Sequence, residues 1–230
     1  IQMKWSLYTG AAGVSHKISA GNNSYVNTTL AVTGVFNQLD QEQLGMDLIS
    51  QPYALLTDQS KKIQFSSFLK NKLSAKHTIK TGINFNELFF NYDLNGILPG
   101  SNGLYGNYAF QKGKSFYTEI YLQSKYDITQ TLVLNSGINC NYFELNNGLS
   151  IDPRAAIRWN FLPDHTISFG YGKHSQLEEL RMYFIRQEIN GSVHYPNKKM
   201  GVSRAHHFVL GYDWNITDKI RFKAEPYFQY

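Results

Sequence analysis

Two adjacent histidines, His206 and His207, are the residues whose types first suggest chemistry, because imidazole is a common metal ligand. They open a run in which Phe208, Leu210 and Tyr212 alternate with smaller or polar residues, the pattern of a β-strand. Neighbouring residues of a strand point to opposite faces of the sheet. We therefore predict that His207 faces the interior and His206 the outer side, and that the pair does not bind one metal ion.

A second group that could do chemistry is His174-Ser175, which is followed by the carboxylates Glu178 and Glu179. A hydroxyl, an imidazole and a carboxylate are the three parts of a hydrolase triad. No motif in the sequence, however, fixes a nucleophile, a base and an orienting acid together. The sequence therefore predicts no catalytic residue, no metal ligand and no cofactor. Nothing in it resembles a phosphate-binding glycine loop or a nucleic-acid-binding module.

The long segment from Ser175 to Ser203 combines positive charge with aromatic rings. Such groups hold anionic chelates and stack on ring systems or sugars. The residues concerned are Arg181, Tyr183, Phe184, Arg186, His194, Tyr195, Lys198 and Lys199. This segment is the first candidate for ligand recognition, and its apolar residues near 177–184 are expected to form a short helical turn or to fold into the interior.

The elements that must position these residues are strands. In the clearest unit, Ala155, Ile157 and Trp159 alternate with Arg154 and Arg158, then a short turn leads into a second arm with the same alternation. A period of two with rings on one side and polar groups on the other describes a sheet with one apolar face and one wet face. Arms of this length on both sides of each turn favour lipid, rather than the core of a soluble β-sandwich, as the apolar surroundings.

Composition supports a membrane wall made of strands. The chain is 42% hydrophobic and 15% aromatic but only 17% charged, against about 25% in ordinary soluble domains. No run approaches the roughly 20 apolar residues of a spanning helix, and lipid tolerates no open sheet edge. The fold class predicted is therefore all-β, an antiparallel transmembrane β-barrel. The single cysteine, Cys140, excludes an intrachain disulfide and is expected to be a small outward-facing residue.

Ten strands are predicted from the alternation. They cover 3–15, 25–36, 61–71, 77–90, 114–127, 131–143, 152–161, 165–174, 204–214 and 219–230. Short connections near 17–21, 73–76, 127–130, 163–164 and 215–218 alternate with longer ones at 37–60, 91–113, 144–151 and 175–203. In outer-membrane barrels short turns lie on the periplasmic side and long loops outside, so even-numbered strands are expected to run toward the exterior.

The interior implied by these strands is wide and polar. Inward positions carry charged residues such as Arg154 and Lys125 beside glycines, and the chain stops inside a strand at Tyr230. The sequence after Ile1 does not have the basic segment and apolar core of a signal peptide. Residues 1–230 are therefore expected to be one segment of a larger barrel, from a mature or N-terminally incomplete chain.

Four stretches carry a family resemblance: 150–159, 168–176, 203–212 and 224–230. With their Pro-Arg strand start at 153–154 and their Tyr-Gly-Lys-His-Ser-Gln strand end at 171–176, they resemble the barrel of TonB-dependent outer-membrane receptors, especially of Bacteroidetes type. The resemblance implies a 22-stranded barrel, of which about ten strands are present here. It implies a plug domain of the same receptor, and no plug or TonB-box-like segment is found in this sequence.

The resemblance implies uptake of a scarce nutrient, of the siderophore, haem, cobalamin or glycan class, driven by TonB with ExbB and ExbD. The partners expected are thus the plug, these proteins, a small-molecule or glycan ligand, and outer-membrane lipid. The residues expected to face the ligand are Arg154, His174, Arg181, Tyr183, Arg186, His194, Tyr195 and His207.

Two alternatives remain open. The net charge of +5 also suits basic outer loops that merely meet anionic lipopolysaccharide. A different class of protein, a complete small outer-membrane barrel enzyme of protease or phospholipase type, or an adhesin, would also have about ten to twelve strands.

Overall fold

The computed structural model describes residues 1–45, 48–98, 103–189 and 192–230. An antiparallel sheet runs through them in chain order, from β1 to β8 and then to β11 and β12, with β13 also pairing with β11. A small hairpin, β9 and β10, lies between β8 and β11. The strands are β1 (Gln2–Ser19), β2 (Ser24–Leu44), β3 (Ser50–Lys72), β4 (His77–Ile97), β5 (Tyr105–Asp127), β6 (Leu132–Phe143), β7 (Gly148–Leu162), β8 (His165–Gln176), β9 (Gln187–Ile189), β10 (Ser192–His194), β11 (Ser203–Thr217), β12 (Ile220–Ala224) and β13 (Tyr227–Gln229).

The last two elements are parts of one strand. Tyr212 pairs with Ala224 and Val209 with Tyr227, so the register does not change across the interruption. Pro226 lies there and has no N–H to donate, but its carbonyl accepts a hydrogen bond from the Leu210 N–H at 3.1 Å. Ten strand positions, including the predicted tenth at 219–230, are therefore confirmed among the described residues.

The expected long connections at 37–60 and 91–113 are wrong. β2 continues to Leu44 and β3 already begins at Ser50. In the same way, β4 continues to Ile97 and β5 begins at Tyr105. In β2 the residues 37–43 are polar except Leu39, so the alternation that marks a strand disappears there although the backbone ladder continues. In β4 the alternation continues, because Tyr92 and Leu94 are buried on the inner face between polar neighbours. The connection expected at 144–151 is also shorter, because a 3₁₀ turn at Glu144–Asn146 leads directly into β7.

The two faces of the sheet differ as the alternation predicts. Phe169 pairs with Leu210 and Tyr171 with Phe208 on one face, whereas Gly172 pairs with His207 on the other. The face with the rings, here called the outer face, carries large apolar side chains that are roughly half exposed. They include Leu30, Val32, Ile120, Leu122, Ile138, Phe169, Leu210 and Phe222. The buried core cluster of the described residues lies on the opposite, inner face.

No helix of the described residues has the length and apolar character needed to cross a membrane.

The register makes a prediction about neighbouring positions on β5. Leu122 lies on the outer face and Gln123 on the inner face, where it lines a cavity. In the protein, Leu122→Arg should lower the free energy of unfolding in lipid by about 2–4 kcal/mol, because the guanidinium enters hydrocarbon. The matched variant Gln123→Arg should change it by less than about 1 kcal/mol. Urea titration in liposomes measures both, and equal losses would contradict the assigned faces.

Candidate functional site

A chain of polar side chains crosses the inner face from β3 to β8. Ser66 donates to Asn84 at 2.6 Å, and the Asn84 amide donates to Glu119 at 3.2 Å. Glu119 also accepts from Asn139, which donates to Asn141 at 3.0 Å. This chain, here called the polar belt, ties neighbouring strands together through side chains as well as through the backbone ladder.

The belt ends at a gap in the ladder. Below the pair Arg154–Gly172, β7 and β8 are hydrogen-bonded neighbours, but above it they separate. The buried Asp152 carboxylate bridges the gap by accepting from the Ser175 hydroxyl at 2.7 Å and the Ser175 N–H at 3.1 Å. Asn141 donates to the same carboxylate at 3.0 Å. Side-chain bonds thus replace the missing backbone bonds at the point where the 177–202 connection begins.

One inward row of the sheet, level with Arg154, collects positive charge. Following the register from β2 to β11, it contains Lys70, Lys80, Arg154 and His207. Lys70 and Lys80 stand directly opposite each other, an arrangement that destabilises a sheet. A cavity of about 770 Å³ lies over this row. Its lining includes Lys125 and His174 besides these four and contains no carboxylate among the described residues.

Aromatic rings stabilise the charge of Lys80. Its ammonium nitrogen lies 4.2 Å from the centroid of the Phe68 ring and 5.5 Å from that of Tyr121, and such contacts are attractive. A Cβ on Gly82 would lie only 2.6 Å from the Tyr121 hydroxyl and 2.8 Å from Phe68 Cβ. Glycine at this position is therefore required for the two rings to flank the lysine.

The structure brings together three of the residues expected to face a ligand, Arg154, His174 and His207, on neighbouring strands. The rings of His174 and His207 have their centroids 4.5 Å apart. The Tyr227 hydroxyl lies 3.2 Å from His207 Nδ1. All three predicted residues line the cavity.

The outward position predicted for His206 is confirmed. Its Nδ1 lies 3.0 Å from the Tyr171 hydroxyl, and its ring stacks on Tyr230 with centroids 5.0 Å apart. Because His207 packs against His174 on the opposite face, the two adjacent histidines share no site. No cluster of three metal-binding side chains occurs within the described ranges.

No hydrolase triad forms around Ser175. Its hydroxyl donates to Asp152, whereas the ring of His174 packs against His207. The serine is thus hydrogen-bonded to a carboxylate and not to an imidazole, so the serine, histidine and carboxylate are not arranged in the order of a triad.

The connection between β8 and β11 folds back over the inner face. We call residues 177–189 and 192–202 the inner loop. Tyr183 and Phe184, on its 3₁₀ turn, are buried in an aromatic cluster on the upper part of the sheet. Phe184 lies 4.8 Å from Phe90, and Tyr183 lies 5.5 Å from Phe143, between ring centroids. The cluster is completed by Tyr92, Leu94 and Ala109.

Polar bonds hold the inner loop along its length. The Arg186 guanidinium donates to the Asn107 carbonyl at 2.6 Å, and its N–H donates to the Tyr108 carbonyl at 2.8 Å. At the other end, the Asn146 amide donates to the Met200 carbonyl at 2.6 Å. The loop therefore reaches from β8 across β6 and β7 to β5.

The loop residues expected to face a ligand have different environments. Tyr183 is fully buried, so the expectation that its ring faces a ligand is wrong. Arg186 anchors the loop to β5, and Arg181 pairs with Glu179 at 2.6 Å. His194 and Tyr195 are exposed, and their role in recognition stays a prediction.

A second carboxylate, Asp58, lies near Arg181 under the inner loop. Asp58 lies in the upper part of β3, beyond the outward apolar residues Ile63 and Phe65. Burial raises the pKa of the Asp58 carboxyl, and the nearby Arg181 guanidinium opposes this by lowering it. Glu179 raises it again. Arg181 thus interacts with two carboxylates, which weakens its attraction for an anionic ligand.

Sequence reasoning missed Lys70 and Phe68 as cavity residues. Both lie on the same, inner face of the sheet as Lys80. Their position at the cavity, however, depends on the register across the turn between β3 and β4. Counting back from that turn would have placed Lys70 opposite Lys80.

Removal of the Asp152 carboxylate should loosen the sheet where β7 and β8 separate. In the protein, Asp152→Ala should lower the free energy of unfolding by about 3 kcal/mol, because it leaves buried donors without an acceptor. Asp218→Ala, in an exposed turn, is the control and should have little effect. Thermal unfolding in detergent measures this, and an unchanged midpoint for Asp152→Ala would contradict the bridging role.

Docking of the inner loop should depend on one ring. Tyr183→Ala should cost about 3–5 kcal/mol of local stability through the cavity it leaves, and protease cleavage within 185–199 should accelerate at least tenfold. Tyr195→Ala, an exposed ring of the same loop, should leave cleavage unchanged. Equal cleavage rates for the two variants would show that the aromatic cluster does not hold the loop.

Comparisons with known proteins agree with this geometry. Residues 3–229 match the family described as TonB dependent receptor-like, beta-barrel. No curated protein matches the sequence significantly. The siderophore receptor PirA from Acinetobacter baumannii superimposes with a TM-score of 0.75 at 12% identity, over 98% of this chain and 35% of its own.

Two further solved structures have the same fold. The ferric-catecholate import receptor Fiu from E. coli K12 gives a TM-score of 0.67 at 10% identity, over 99% of this chain and 36% of its own. The copper transporter OprC gives a TM-score of 0.71 at 13% identity, over 99% of this chain and 39% of its own. This chain thus spans little more than a third of each. The family match covers nearly every residue, and the antiparallel sheet has one apolar and one polar face. The chain therefore belongs to the TonB-dependent receptor β-barrels of the bacterial outer membrane.

Proposed function

We propose that this chain is part of the barrel wall of a receptor that imports a scarce, negatively charged nutrient and does no covalent chemistry. The observation that carries the proposal is the inward row with Lys70, Lys80, Arg154 and His207, over which the cavity of about 770 Å³ lies. Opposed like charges cost stability, so a wall that keeps them has another use for them. An anionic ligand that crosses the lumen would supply the missing countercharge.

The nutrient class follows from the family and from the charge. Among the siderophore, haem, cobalamin and glycan classes, anionic chelates and haem carboxylates suit a cationic cavity better than a neutral glycan does. Siderophore and ferric-catecholate receptors are among the structural neighbours, which supports a chelate. The Lys80 site, flanked by Phe68 and Tyr121, offers both charge and ring surface to such a ligand.

The rest of the machinery is proposed by family analogy. The ten strands would form part of a 22-stranded barrel that a plug domain of the same receptor closes, and TonB with ExbB and ExbD would supply the energy for plug displacement. The inner loop would narrow the mouth above the cationic cavity, because it crosses the inner face from β8 to β5. The Bacteroidetes type stays a prediction. No observation favours the alternative of a barrel enzyme or adhesin.

Binding by the full-length receptor tests the proposal. The double variant Lys80→Gln with Arg154→Gln should raise the Kd for a ferric catecholate about tenfold or more, because two charge-assisted contacts are lost. The control Lys219→Gln removes an exposed lysine in the turn between β11 and β12 and should leave the Kd unchanged. Fluorescence quenching and uptake of labelled iron, in cells with and without TonB, provide the two measurements.

Each outcome of this experiment is informative. If the double variant binds the ferric catecholate, haem and cobalamin as tightly as the unmodified receptor, the cationic cavity is not the binding surface. If a neutral oligosaccharide is taken up in its place, the charge argument is wrong. Uptake that persists without TonB would contradict the energy source.

A further inference from the structure

The outer face between β1 and β5 changes character along the strands. The row Ala12, Val32, Ile63, Glu87 and Phe116 is mostly apolar, and the row below it contains Val14, Leu30, Phe65 and Phe85. The next row toward the loops contains Gly10, Gly34, Lys61, Phe89 and Lys114, and the one beyond it contains Tyr8, Phe36, Gln59, Asn91 and Lys112. Apolar side chains are thus followed by a basic and aromatic band.

The band lies where the hydrocarbon ends. A strand needs about 9–11 residues to cross it, and counted from the turn end of β3 at Lys72 this length ends just before Lys61. The short turns lie on the periplasmic side, so the band faces the outer leaflet. Lys61, Lys112 and Lys114 are all exposed. Lys114 pairs with Glu87 at 3.0 Å, whereas Lys61 and Lys112 form no ion pair within the described parts of the chain.

Two glycines make a recess beside Lys61. A Cβ on Gly10 would meet no atom within 4 Å, and one on Gly34 would meet the Lys61 side chain only at 4.0 Å. The rings of Tyr8 and Phe36, 6.0 Å apart, flank this recess on the loop side. A recess next to rings and an ammonium group is suited to a sugar that carries a phosphate.

An apolar depression lies directly below the recess. Its volume is about 310 Å³, and its lining includes Ala12, Val14, Leu30, Val32 and Ile63. Ile63 is on the same strand and the same face as Lys61, one step closer to the membrane centre. The outer face therefore offers, from top to bottom, rings, cations and an apolar depression.

We propose that this face binds one molecule of lipopolysaccharide, the phosphorylated and acylated glycolipid of the outer leaflet. Its phosphates contact Lys61 and Lys112, its sugar covers Gly10 and Gly34, and an acyl chain fills the depression beside Ala12. The proposal depends on the position of the chain in the outer membrane and not on which nutrient crosses the lumen.

Binding of lipid A to the delipidated full-length receptor, followed by native mass spectrometry, tests the proposal. Lys61→Gln with Lys112→Gln should weaken binding of bisphosphorylated lipid A about tenfold, because each lysine near an anionic surface contributes attraction. Lys62→Gln is the matched control, since Lys62 follows Lys61 directly but lies on the inner face, paired with Leu88. It should bind like the unmodified receptor. Lys61→Arg with Lys112→Arg should retain binding.

Specificity is tested with two more lipids. Dephosphorylated lipid A should bind the unmodified receptor about tenfold more weakly than the bisphosphorylated form, and phosphatidylglycerol should not compete with it. Undiminished binding by the Lys61 and Lys112 double variant would overturn the proposal. So would equal losses for the double variant and Lys62→Gln, equal binding of the dephosphorylated lipid, or competition by phosphatidylglycerol.

Discussion

Backbone hydrogen bonding between neighbouring strands is the constraint on which the rest of this structure depends. In lipid an unpaired N–H or C=O has no water to bind, so the ladder must be continuous and its register fixed. Where the ladder lapses, other groups replace it. The Asp152 carboxylate bridges β7 and β8 above Gly172, and the Pro226 carbonyl maintains the contact with β11 where no N–H is available.

Because the register is fixed, each side chain stays on one face, and the two faces can meet different physical requirements. The outer face must stay apolar where it meets hydrocarbon, because a misplaced cation costs several kcal/mol there. The inner face has no such restriction and is divided into levels. A cationic row lies under the cavity, the polar belt through Glu119 and Asn141 lies above it, and the aromatic cluster around Tyr183 holds the inner loop at the top. Each level uses chemistry that the outer face cannot accept.

The sequence predicted the faces well because alternation is a local signal. The opposite positions of His206 and His207 follow from a period of two. The extension of β2 through 37–43 was not predictable in this way, since its residues are polar on both faces except Leu39. The extension of β4 does alternate, with Tyr92 and Leu94 between polar residues, but it was not recognised as part of the strand. The burial of Tyr183 depends on Phe143 and on strands β4 and β5, which are far away in the chain. Contacts between residues so far apart in the chain produce no periodic pattern in the sequence of the loop.

The separation of faces also explains how this wall can resemble its relatives so closely in shape and so little in sequence. Identities of 10–13% accompany TM-scores of 0.67–0.75 in the three structures compared. Shape is set by the ladder and by the apolar character of the outer positions, which many residues satisfy. Lys61 and Lys62 illustrate the consequence, because one step along β3 moves a lysine from the lipid side to the lumen side. Inner residues can therefore be exchanged while the outer face, and with it the fold, stays the same.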